Sequence, residues 1–164
     1  MIIDAKDLPN IREKHNKQRI VLCTGSFDLT HAGHVLFLED SKKLGDILIV
    51  GVGSDAIIKY NKGVGRPILN EQLRVKMISS LKPVDYAYID TLGEFNVPLS
   101  SLDVALDRLR PNIYAVNSDG FNMDYRRGIM DKYNVEMIVM ERKCPDQYDN
   151  ISSTRIIEKI LKII

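Results

Sequence analysis

Tryptophan is absent from the 164-residue chain, and cysteine and histidine occur only two and three times. Cys23 and Cys144 are too far apart and too few for a disulfide framework, and neither lies in a CxxC or beside a histidine at metal spacing. A zinc site is therefore not indicated. Neither sign of charge dominates: 23 basic and 22 acidic residues leave a formal net charge of +1, so nothing in the balance points to nucleic acid as a partner. No apolar run approaches the ~20 residues of a membrane helix, and the first nineteen residues are too charged for a leader, so a cytoplasmic protein with no membrane partner is expected. Repeats, low-complexity tracts and an interdomain linker are also missing. What is left is one domain over 1–164, with 45% hydrophobic residues to build its core.

Residues 1–18 pattern as a helical N-terminal extension on the outside of that domain, with Leu8, Ile11 and His15 to one side. Residues 19–23 form a short apolar run suited to a strand buried on both faces of a parallel sheet. The pattern turns helical over 33–44, with Val35 and Leu38 sharing a face and Gly45-Asp46 as the stop, and 47–52 reads as a second strand. These three pieces make a βαβ unit, whose crossover is right-handed. The lysine-bearing, glycine-rich segment 59–67 reads as a loop. Asn70 caps a helix to about Leu81 with Leu73, Met77 and Ile78 facing inward, and 85–89 is a third strand. A helix over 99–109 carries Leu102, Leu106 and Leu109 on one stripe and leads to a strand at 112–116. A helix at 124–133, a strand at 135–140, a polar loop at 141–150 and a last helix with Ile156, Ile160 and Ile163 on one face complete the alternation. The expected class is α/β: a single doubly wound, Rossmann-like domain with a parallel sheet of about five strands.

Open α/β sheets bind ligands beyond the carboxyl ends of their strands. At the end of the first strand stands Gly25-Ser26-Phe27-Asp28, followed by His31-Ala32-Gly33-His34 where a helix begins. Backbone N–H groups of Gly25 to Phe27 and of the helix start, gathered around one point, make an anion site. Two imidazoles three residues apart can both donate to phosphate oxygens, and Gly33 between them lets a bulky group approach the backbone. With no third ligand and no HExxH, the pair suits phosphoryl or nucleotidyl transfer better than zinc hydrolysis. Either histidine alone would read as a cap or a core filler. Both in one glycine-flanked strand exit, in a chain with one other histidine, favour function.

Lys59, Lys62 and Arg66 alone are a solvated surface, and beside an anion site they become candidates. Asp119 follows the fourth strand in the turn Asn117-Ser118-Asp119-Gly120. Ser152, Ser153 and Thr154 open the last helix, where hydroxyls and unpaired N–H groups bind anions; without the first motif they would be a plain cap. A redox dinucleotide domain is excluded, because 25–33 is not GxGxxG and no acid follows the second strand at the ribose position.

Gly25-Ser26-Phe27-Asp28, His31-Ala32-Gly33-His34 and Ile151-Ser152-Ser153-Thr154-Arg155 resemble the two signature motifs of the cytidylyltransferase-like nucleotidyltransferases, over nearly the whole chain. Within that family the likeness is closest to heptose-1-phosphate adenylyltransferases and glycerol-3-phosphate cytidylyltransferases, through Ser54-Asp55, Lys59, Lys62-Gly63 and Arg66-Pro67. The resemblance implies that His31 and His34 contact the triphosphate and stabilise the transition state. It gives Lys62 the loop-lysine role, with Lys59 as alternate, and assigns Arg66 to the acceptor side. Arg74 and Asp119 match nucleotide-binding positions, and Ser152, Ser153 and Thr154 match the motif that holds the β- and γ-phosphates. A homodimer is implied too. Three positions depart from the pattern: Asn117-Ser118 replace a glycine before the acid, Gln72 replaces an acid before Arg74, and no lysine follows the third strand.

The mechanism expected is a single in-line displacement at the α-phosphorus of ATP or CTP by a phosphate oxygen of a sugar or polyol phosphate. Pyrophosphate leaves, and Mg²⁺ accompanies the triphosphate. Alternatives are an archaeal-type FMN adenylyltransferase (FAD synthetase), suggested by Ser153-Thr154-Arg155, and a non-catalytic nucleotide-binding module, against which His31, His34 and Lys62 all argue.

Overall fold

In the computed structural model, which describes residues 1–94, 96–141, 145, 147–148 and 152–163, each apolar run of the sequence becomes a strand. These are β1 (Ile20–Gly25), β2 (Ile47–Gly53), β3 (Tyr86–Asp90), β4 (Ile113–Asn117) and β5 (Glu136–Met140). All pair in parallel, in the spatial order β3-β2-β1-β4-β5. The helices are α1 (Leu8–Lys14), α2 (Ala32–Lys42), α3 (Asp55–Lys62), α4 (Glu71–Ser79), α5 (Ser100–Leu109), α6 (Met123–Tyr133) and α7 (Ser153–Leu161). The doubly wound parallel sheet and its five strands agree with the sequence reading. Cys144, Ile151 and most of the 141–150 loop lie outside the described residues. No helix among the described residues is long and apolar enough to cross a membrane.

Strand order reverses between β1 and β4, so the ligand crevice of the doubly wound sheet opens there. The two walls come from opposite faces. On one face, Leu38 of α2 and Val75 and Ile78 of α4 pack on Val21, Cys23, Leu48 and Ala87. On the other, Leu102 and Leu106 of α5 and Ile129 and Met130 of α6 pack on Leu22, Ile49, Tyr88 and Tyr114. Helices on both sides explain why β1 and β2 are apolar on both faces. Cys23 is a buried strand residue, as its setting in sequence implies, and burial pushes its thiol up to about 12 against a hydrogen bond from Ser41.

Three expectations are corrected. The N-terminal extension is part of the core: Leu8 and Ile11 are buried. Ile2 also pairs in parallel with Ala87, through Ile3 N to Ala87 O and Ala87 N to Met1 O, each 2.9 Å, covering the open edge of β3. The pairing is too short for a strand pattern to register. Second, 59–62, the first part of the segment 59–67 expected to be loop, belongs to a helix that starts at Asp55, and only 63–67 stays irregular. Ser54 Oγ accepts from Ile57 N at 3.4 Å, and Gly63, at φ 85°, ends the helix; these caps outweigh the turn-like composition between them. Third, α4 turns Arg74, Val75 and Ile78 inward, leaving Leu73 and Met77 51% and 40% exposed. A wheel that counts arginine as an outward residue misplaces this helix. The last helix, α7, ends at Leu161, so of the three isoleucines expected on one face it holds Ile156, half-buried, and Ile160, exposed, while Ile163 lies beyond it.

Asp90, at the end of β3, is buried; burial pushes its carboxyl up to about 6, against hydrogen bonds from Ser101 and the Leu92 amide. The folded chain therefore holds this proton more tightly than the unfolded chain, whose value is 3.8. Its contribution to stability is complete below the unfolded value and is lost as pH rises through the folded one. Asp90→Asn is expected to raise unfolding free energy by about 1–3 kcal/mol near neutral pH and by far less in mild acid. Urea unfolding of both proteins at two pH values checks this; an advantage that does not grow with pH would contradict it.

Candidate active site

Beyond Gly25 the chain must turn sharply from β1 into α2. Phe27 and Leu29 make the turn at φ 49° and 53°, left-handed conformations that cost about 1–3 kcal/mol each without glycine. Two buried side chains hold them there. The Phe27 ring packs in the core, and Asp28 between the two residues is fully buried. Asp28 Oδ2 accepts from Arg66 Nε and Ile68 N, both at 2.9 Å, and pairs with Arg66 Nη2 at 2.8 Å, while Oδ1 accepts from Leu69 N at 3.0 Å. Burial works against the Asp28 charge, yet the amides of Leu69 and Ile68 and the Arg66 guanidinium outweigh it and hold the carboxyl below its ordinary value.

This turn delivers His31 as the N-cap residue of α2 and His34 as its third residue. His31 N donates to His34 Nδ1 at 3.3 Å, so in the neutral ring the proton of His34 sits on Nε2, a donor suited to a phosphate oxygen. The two rings stack with centroids 4.0 Å apart, and the Phe27 ring meets His34 edge-on at 5.4 Å. Gly33 makes that stack fit: a Cβ there would lie 3.1 Å from Cε1 and Nδ1 of His31. Gly33→Ala is expected to displace the His31 ring and lower turnover about tenfold, since small misplacements of catalytic groups are costly, while helix content is unchanged. Turnover equal to wild type would show that the His31 position is not critical.

Lys62, the last residue of α3, donates from Nζ to Ser26 Oγ at 2.9 Å and so reaches the same turn. Its residue is exposed overall, but desolvation of the ammonium lowers its pKa, and the charges of Arg66 and Arg74 lower it further against the pull of Asp28. Lys59 is exposed one turn earlier on α3, outside this cluster. At the start of α7, Ser152 Oγ caps the helix by accepting from Arg155 N at 3.2 Å, and Ser153 Oγ donates to Asp28 O at 2.6 Å. The start of α7 is thereby docked on the same turn; Thr154 is exposed beside it. Asp119 is exposed in the turn that follows β4.

Arg74 is fully buried and holds four oxygens. Nε donates to Leu69 O at 2.8 Å, Nη1 to Ser26 O and Gly53 O at 2.7 Å each, and Nη2 to Asp55 Oδ1 at 2.6 Å. Glu71 supports the same corner, its carboxylate accepting from Asp55 N at 2.8 Å. Arg74 and Asp28, expected from sequence to line the ligand site, thus frame the turn through their bonds to protein groups, and Arg66 joins that frame through Asp28. The residues brought together at the turn are Gly25, Ser26, His31, Gly33, His34, Lys62 and Ser153. Sequence reasoning missed Asp55 as the partner of Arg74. It also missed a second cluster that links β1, β4 and α6, where Thr24 Oγ1 and Tyr114 OH meet at 2.9 Å and Arg126 bonds to the same Tyr114 hydroxyl. No motif marks these three, which sit inside ordinary strand and helix patterns.

The chain is similar to known proteins over most of its length. A family described as cytidylyltransferase-like matches residues 22–159. Bifunctional protein HldE of Helicobacter pylori (strain G27) is 37% identical over 147 residues, covering 90% of this chain and 28% of that protein. Bifunctional protein HldE of Desulfatibacillum aliphaticivorans is 36% identical over 155 residues, covering 93% of this chain and 29% of that protein. The chain thus spans less than a third of the curated relatives it matches. Among solved structures, the lipopolysaccharide core biosynthesis protein of Thermoplasma volcanium GSS1 aligns with TM-score 0.63 at 29% identity, covering 79% of this chain and 99% of that one. A pantoate-beta-alanine ligase from Francisella tularensis aligns with TM-score 0.65 at 17% identity, covering 99% and 78%, a likeness of fold alone.

Proposed function

The chain belongs to the cytidylyltransferase-like family of nucleotidyltransferases, and from that premise we propose that it moves a nucleoside monophosphate from ATP or CTP to a sugar or polyol phosphate. The observation that carries this reading is the stacked His31–His34 pair at the start of α2, with Lys62 and the start of α7 converging on the same turn. Helix starts and cations gathered there suit a triphosphate, whose charge needs many donors at once.

In the proposed step an oxygen of the acceptor phosphate attacks the α-phosphorus in line. The new P–O bond forms as the bond to the β-phosphate bridging oxygen breaks, and pyrophosphate leaves with the electron pair. His34, donating from Nε2, and His31 stabilise charge on the α-phosphate and the bridging oxygen. Lys62, tethered by Ser26, neutralises the departing phosphates, and the N–H groups at the start of α7 hold them. No covalent enzyme intermediate is needed. Among the described residues no group of three or more His, Cys, Asp or Glu side chains could hold a metal ion, and Asp28 and Asp55 are paired with arginines. Mg²⁺ brought in with the triphosphate would supply further charge neutralisation beside His31, His34 and Lys62.

Isotopic labelling tests the reading. Label in the α-phosphate should appear in the product joined to the acceptor, and label in the γ-phosphate should appear only in pyrophosphate. Transfer of the γ-label to the acceptor would make the protein a kinase and overturn the assignment.

A further inference from the structure

We propose that Arg126 anchors the phosphate of the acceptor on the crevice wall opposite the two histidines, an inference that rests on the transfer reaction above. That reaction brings a triphosphate and a phosphomonoester, both anionic, to within bonding distance. Two such groups repel unless each has its own cationic partner. The groups suited to the triphosphate all converge on the turn that feeds α2: His31 and His34, Lys62 through Ser26, and the start of α7 through Ser153. The opposite wall, built by α5 and α6 on the other face of the sheet, needs a cation of its own.

Arg126 meets that need. It is half-buried in the first turns of α6, with Nε donating to Phe121 O at 2.7 Å and Nη1 to the Tyr114 hydroxyl. The guanidinium carbon lies 5.7 Å from the centre of the Tyr114 ring. The Tyr114 hydroxyl in turn meets Thr24 Oγ1 at 2.9 Å, so the chain of contacts runs from α6 across β4 to the residue before Gly25. The guanidinium is thus linked through the Tyr114 hydroxyl to Thr24, the residue before Gly25, across the two strands where the strand order reverses. Its charge is matched by no carboxylate among the described residues. Arg66 and Arg74, the more deeply buried arginines near the crevice, are each matched by one. A half-buried guanidinium held by neutral groups, with Nη2 and the second Nη1 proton left over, presents the planar fork that takes phosphate oxygens two at a time. The ligand class it fits is a phosphomonoester dianion.

The test uses inorganic phosphate as the probe, titrated by calorimetry onto protein saturated with a non-hydrolysable triphosphate analogue. Arg126→Gln is expected to weaken phosphate binding about tenfold or more and leave the affinity for the analogue unchanged. Arg126→Lys, which keeps the charge and loses the fork, should fall between, and it decides the matter if Arg126→Gln melts early. Three results would each overturn the proposal: no phosphate binding by the wild type, equal binding by the variants, or loss of analogue affinity instead. The last would give Arg126 to the nucleotide. If Arg126→Gln loses phosphate while the wild type transfers no nucleotidyl group to any acceptor, the anion site stands and the proposed reaction fails.

Discussion

His34→Ala is expected to lower turnover by about 10²–10³-fold, the loss seen when one donor to developing charge is removed, with little change in melting temperature. The half-buried ring stands at the start of α2, where its Nδ1 accepts from His31 N. Losing that bond uncovers one amide at a helix start, which costs about 0.5–2 kcal/mol at most sites of this kind. The kinetic loss should therefore far exceed the loss of stability. His31→Ala should act in the same direction. The double variant should fall well short of the product of the two losses, since stacked residues serving one charge act as a unit. Steady-state pyrophosphate release with thermal melts of the same preparations checks both points. Turnover near that of wild type in His34→Ala would remove the histidine pair from the chemistry.

Arg74→Met should show the opposite balance, with a loss of stability first and a loss of activity as its consequence. Its guanidinium ties the last carbonyl of β2, that of Gly53, the carbonyl of Ser26 in the turn and that of Leu69 beyond the basic segment into one corner. Asp55 is partly open to solvent, so its charge is not stranded by the substitution. The three carbonyls are, and buried acceptors without donors account for a loss of about 3–5 kcal/mol. Arg74→Lys should not rescue, because a single ammonium cannot replace a planar fork that meets four oxygens. Urea unfolding should show a lower midpoint with an unchanged slope. A variant that unfolds like wild type and loses only nucleotide affinity would instead make Arg74 a ligand.

These two residues mark how far the sequence could be read. The strands were legible because their apolar runs are short and separated by helical patterns, and β1 to β4 are largely buried. The signature around His31 and His34 was legible because two imidazoles and a glycine at a strand exit have few structural uses. Asp28 and Arg74 were harder. Their residue types suit a ligand site, and only the fold shows that Arg66, two amides and three carbonyls already occupy them. Helix α3 hid behind lysines and glycines that read as a loop, although Ser54 and Gly63 are a proper start and stop. Arg126 carried no signal, since its meaning depends on a hydroxyl from β4 and another from β1 that only the parallel sheet brings together.

The central claim is nucleotidyl transfer at the turn between β1 and α2. Its most direct test is a grid of the four common nucleoside triphosphates against a panel of phosphorylated sugars and polyols, read by pyrophosphate release. The account predicts pyrophosphate in strict ratio to a nucleotide-diphosphate-linked product for at least one pair, with ATP or CTP as donor, and its loss in His34→Ala. Release of orthophosphate alone, or silence across the whole grid from a folded protein that binds the triphosphate, would contradict it.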